Sequence, residues 1–89
     1  MKAEKIFISF EIEDTKHGIK DKNNIGNVVN ELFPGKNELM ETNYAYELIY
    51  SIDYPSSVNS DDYVIFWNKI ESLLSSLSQF FPHFTNYAL

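Results

Sequence analysis

A small α+β fold is predicted by three features of this chain. One short segment near the start and one longer segment past the middle alternate apolar and polar residues, and two stretches carry apolar residues at helical spacing. The order is strand, helix, one or two strands, helix, then a closing segment. Such an order builds a small single-layer sheet, antiparallel or mixed, with two helices on one face. A strand–helix–strand unit doubled through a hairpin gives the ferredoxin-like βαββαβ arrangement. At 89 residues the chain is expected to form a single globular domain, 1–89.

The first strand is read from Lys5 to Glu13, where Ile6, Ile8, Phe10 and Ile12 point one way and Phe7, Ser9, Glu11 and Glu13 the other. Residues 14–22, DTKHGIKDK, carry charge and little periodicity and read as an exposed loop. Ile25, Val28, Val29, Leu32 and Phe33 then recur at helical spacing, with Asn23 or Asn24 placed to cap and Pro34-Gly35 to stop. Gly26 lowers the intrinsic propensity of this helix, so packing must hold it.

The longest alternation sets Met40, Thr42, Tyr44, Tyr46, Leu48, Tyr50, Ile52 and Tyr54 against Glu41, Asn43, Ala45, Glu47, Ile49, Ser51 and Asp53. It is far longer than the usual strand of about 5–6 residues, which favours two strands meeting near Glu41-Thr42-Asn43. Pro55 ends the ladder, having no donor to give it. The second helix starts after Asn59 or Ser60, with Asp61 and Asp62 well placed for its dipole. Its stripe is Tyr63, Phe66, Trp67, Ile70, Leu73, Leu74, Leu77, Phe80 and Phe81, and Pro82 stops it. His83 to Leu89 supplies either a closing strand or a docked tail.

Charge is distributed unevenly. Residues 1–36 balance six lysines against six acids, whereas residues 37–89 hold Lys69 alone against seven acids, which accounts for the whole net charge of −6. The chain has no arginine, the side chain best suited to bidentate base and phosphate contacts, and this argues against direct nucleic-acid binding. There is no cysteine, hence no disulfide, thiolate-held metal or thiol nucleophile. No apolar run approaches the roughly 18–20 residues of a membrane span, and the start of the chain has no signal-type apolar region. A cytoplasmic protein of a bacterial cell or phage-infected host is expected.

The two histidines, His17 and His83, stand far apart in the sequence, and the three glycines stand alone, so neither a metal site nor a phosphate loop is expected. No catalytic, metal or cofactor residue is assigned. Asp14 and Asp53 each follow a strand, a place where acids serve either turn chemistry or catalysis. The strand Ile6 to Ile12 running into acids resembles the small ferredoxin-like ribonucleases of CRISPR systems. The segment Ser51-Ile52-Asp53-Tyr54-Pro55-Ser56-Ser57 is similar to one in the GhoS antitoxin, at a different place in the chain. These resemblances imply a metal-dependent ribonuclease or antitoxin nuclease as an alternative function.

The surface chemistry points elsewhere. With the apolar row inward, Glu11, Glu13, Glu41, Glu47 and Asp53 share the other side of the sheet, and Asp61 and Asp62 add to the acidic half. Tyr44, Tyr46, Tyr50 and Tyr54 bury rings but need their hydroxyls satisfied, so they serve as core edge or as interface. Together these residues are the candidate partner-binding surface. The function expected is a small acidic inhibitor that neutralises a basic protein partner, such as a toxin, nuclease or nucleic-acid-binding effector, as immunity proteins, antitoxins, anti-restriction and anti-CRISPR proteins do. A structural accessory domain that forms a homodimer through a sheet edge is a further alternative.

Overall fold

A computed structural model describes residues 4–12, 18–40, 47–56 and 58–88. The elements are β1 (Glu4–Glu11), α1 (Gly18–Leu32), β2 (Asn37–Met40), β3 (Glu47–Asp53), α2 (Ser60–Ser76), a short 3-10 turn (Ser78–Phe80) and β4 (His83–Ala88). The four strands form one sheet in the order β2-β3-β1-β4, and every neighbouring pair is antiparallel. This is the split βαβ order expected of a βαββαβ chain. Both helices lie on one face of it.

The buried face is built by the alternation of the strands. Ile6, Ile8 and Phe10 of β1 stand opposite Ile52, Tyr50 and Leu48 of β3, and all six are buried with Ile12 just beyond β1. Ile25, Val29 and Phe33 reach this face from α1 and its end, and Phe66, Ile70, Leu73, Leu77 and Phe80 reach it from α2 and the turn that follows. Gly26 has a packing role here, because a Cβ at that position would come within 3.2 Å of the Tyr50 hydroxyl. The glycine leaves room for the end of the Tyr50 side chain.

Helix α1 starts earlier than its apolar stripe suggests. Gly18 to Lys22 are helical, not loop, and Asn23 and Asn24 lie inside the helix instead of capping it. The opening turns face water, with Ile19 80 % exposed, so they carry no periodic signal. The C-terminus matches the expected stop. Gly35 takes φ 70°, the left-handed conformation that glycine adopts without strain. The Asn37 amide donates to the Phe33 carbonyl at 2.8 Å and to Asn30 Oδ1 at 3.0 Å, tying the helix end to β2.

The long alternating stretch is indeed two strands. β2 ends at Met40 and β3 starts at Glu47, and the pairing Leu39↔Tyr50 and Met40↔Ile49 puts Met40 on the opposite face from Tyr50. The single row running from Met40 to Tyr54 is therefore broken. Residues 41–46, with the break expected at 41–43, lie outside the described residues.

Helix α2 is capped by Asn59, whose Oδ1 accepts from the Asp61 backbone N–H at 2.9 Å. It ends at Ser76, before the expected Pro82, and the chain tightens into the 3-10 turn. Phe81 follows with φ 51° and is 48 % exposed, so it leaves the stripe to which it was assigned. The closing segment is a strand, since residues 83–88 pair along β1 from Ser9↔His83 to Glu4↔Ala88. Among the described residues no helix is long and apolar enough to cross a membrane.

Candidate functional site

The face of the sheet turned away from the helices carries Glu11, Glu47 and Asp53 of the acidic residues that alternation predicts. On β1 it presents Lys5, Phe7, Ser9 and Glu11; on β3, Glu47, Ile49, Ser51 and Asp53; on β2, Glu38 and Met40. Ser9 pairs in turn with the exposed His83 of β4. No described helix covers this face, and Phe7 and Ile49 remain half-buried while Met40 is 37 % exposed. An apolar centre is thus rimmed by Glu11, Glu47 and Glu38, the general anatomy of a protein-binding patch.

Two features of the patch have energetic meaning. Glu11 and Glu47 stand directly across the ladder from one another. Opposed side chains on antiparallel strands lie about 5 Å apart at Cβ, and like charges at that distance destabilise the pair. No lysine among the described residues forms an ion pair with either one. A cation brought by a partner would relieve the repulsion. The second feature is Ser51, flanked by Phe7 and Glu38 and only 2 % exposed, whose Oγ has no hydrogen-bond partner. A buried hydroxyl without a partner costs about 1–3 kcal/mol.

At the other end of the face, Asp53 behaves differently. Its carboxylate lies 3.8 Å from Lys5 Nζ, and the two residues are register partners. Both side chains remain partly exposed, so this pair adds little to stability, but it leaves Asp53 less available to a partner than Glu11 or Glu47.

The tyrosines divide. Tyr50 is 6 % exposed and meets the Phe10 ring edge-on at 6.4 Å, so it belongs to the core and offers no surface. Tyr54 is half-buried in an aromatic cluster, 5.0 Å from Phe66, 5.5 Å from Tyr63 and 6.0 Å from Trp67. Its hydroxyl accepts from Trp67 Nε1 at 3.3 Å, which satisfies the polar end that a packed tyrosine must place. Asp61 and Asp62 are exposed in the first turn of α2, on the helical layer and away from the open sheet face. Glu13, Asp14, His17, Glu41, Tyr44 and Tyr46 lie outside the described residues.

The structure therefore brings together Glu11, Glu47 and, at one end, Asp53, and it adds Phe7, Ile49, Met40 and Glu38. Phe7 and Ile49 were legible as polar-side members of their strands. Met40 and Glu38 were not, because their face depends on the register between β2 and β3. Among the described residues no group of three His, Asp or Glu side chains comes together. A scan against known protein families and a search of curated proteins find no match to this chain.

Proposed function

We propose that this domain is a small acidic binding protein that neutralises a basic protein partner, in the manner of immunity proteins, antitoxins, anti-restriction and anti-CRISPR proteins. The observation that carries the reading is the opposed pair Glu11 and Glu47 beside the apolar centre of a sheet face that no described helix covers. A lysine or arginine of the partner inserted between them would be held by two carboxylates. Phe7, Ile49 and Met40 would supply the apolar contact that gives such an interface its slow dissociation. The net charge of −6 adds long-range steering.

The test is Glu47→Lys. Opposite Glu11 the new lysine converts a repulsive pair into an attractive one, so the variant should fold as well as the parent or slightly better, while capture of the basic partner from host extract falls at least tenfold. The salt dependence of association, which should slow markedly between about 50 and 500 mM, checks the steering. Binding unchanged by Glu47→Lys would refute the reading.

A second reading, self-association, is favoured by one observation. β4 is a sheet edge of six residues, HFTNYA, without a lysine, an acid or a proline inside it, and such an edge lacks the usual protection against pairing. Sedimentation at low and high concentration distinguishes a dimer built this way from a monomer that binds a partner. The nuclease alternative has less support, since Asp53 is engaged by Lys5.

A further inference from the structure

At the Asp53 end of the sheet, a cleft of about 280 Å³ opens between the α1–β2 turn, the end of β3 and the first half of α2. The nearly buried Phe33 and Phe66, 4 % and 5 % exposed, form its floor and the half-buried Tyr54 its wall, with ring centroids 5.6 Å apart for Phe33–Phe66 and 5.0 Å for Tyr54–Phe66. Ile65, 54 % exposed, forms a lip. The charged residues of the lining are Lys36, Lys69, Asp53 and Asp62.

Counting those charges shows what the cleft would accept. Asp53 is already paired with Lys5. Asp62 lies in the first turn of α2, where the helix dipole offsets part of its charge. Neither Lys36 nor Lys69 has an ion-pair partner among the described residues, and Lys69 Nζ instead lies 5.9 Å from the centre of the Phe33 ring. Two lysines against one remaining carboxylate leave about one positive charge over an aromatic wall. It is notable that Lys69 is the only cation of the acidic half of the chain, and the fold brings it to the same cleft as Lys36.

We infer that this cleft binds a small aromatic monoanion, an aryl carboxylate, with its ring against Tyr54 and Ile65 above the floor of Phe33 and Phe66 and its carboxylate between Lys36 and Lys69. At about 280 Å³ the cleft lies just below the range of about 300 to 1,000 Å³ for drug-sized ligands, so it suits a ligand of only one or two fused rings. A polyanion such as a nucleotide is disfavoured by Asp62 and by the lack of arginine.

The probes are 2-naphthoate and its uncharged twin 2-naphthamide, titrated into the full chain while backbone amide resonances are followed by NMR. Naphthoate should shift the amides of Phe33, Tyr54, Ile65 and Phe66 and bind at least tenfold more tightly than naphthamide. The double variant Lys36→Gln/Lys69→Gln, both at exposed positions, should lose that preference and keep the parent's melting temperature and its weak affinity for naphthamide. The inference is overturned if naphthoate moves none of these amides up to about 10 mM, a concentration that would reveal even millimolar affinity. It is also overturned if the two probes bind equally to the parent, or if the double variant loses both alike. Shifts of the same amides by Mg²⁺ alone, centred on Asp53 and Asp62, would replace it with a cation site.

Discussion

Tyr50 joins three parts of the molecule. Its ring meets Phe10 of β1, its hydroxyl faces Gly26 of α1, and burial pushes its phenol above the ordinary value of 10.0. The folded state thus favours the protonated phenol more than the unfolded chain does. Below the unfolded value both states keep the proton, and the contribution to stability is fully present. As pH rises past it the unfolded state ionises first, and stability falls until the pH exceeds the raised folded value. Thermal melts taken from about pH 9 to 11 should show this decline, and Tyr50→Phe should flatten it. A variant that declines as steeply as the parent would place the effect elsewhere.

At the scale of elements, α2 shows how a stripe divides its work. Phe66 is 5 % exposed and touches Phe33, Tyr54 and Trp67, whereas Trp67 is half-buried and packs at the margin through Tyr54. Phe66→Ala should therefore cost about 3–5 kcal/mol, a large part of the stability of so small a domain, about 4–13 kcal/mol at the usual range per residue. Trp67→Ala should cost distinctly less, because part of the indole already meets water. Urea unfolding of both variants checks the order, and a larger loss at Trp67 would reverse the assignment. Strand β1 and the Asn59 cap of α2 were legible in the sequence because each is local, one a period of two and the other a side chain bonding two residues on. The start of α1 was hidden by its solvated first turns. The face of Met40 was hidden because register is a relation between strands, and the cleft was hidden because Phe33, Tyr54 and Lys69 come from three separate segments. Half of the candidate site was readable for the same reason: alternation fixes which side Glu11 and Glu47 take, and only pairing sets them opposite one another.

For the whole molecule, the sheet order β2-β3-β1-β4 places β1, the earliest of the four in the sequence, in the middle. During synthesis β1 leaves the ribosome with neither neighbour available. The strand that follows it, β2, does not touch it in the finished sheet. One flank waits for residues 47–53 and the other for residues 83–88. In that interval Ile6, Phe7, Ile8 and Phe10 form an unpaired, strongly β-prone segment of the kind that invites pairing with other chains. Ribosome-arrested chains should show this directly: those stopped with residue 82 just outside the exit tunnel should be cut by protease, and those stopped with residue 88 outside should resist. Resistance at the earlier point would mean that β3 and the two helices protect β1 on their own. Otherwise the native state is reached only when the last strand arrives, and for this chain the speed of translation and the reach of a chaperone become part of whether it folds at all.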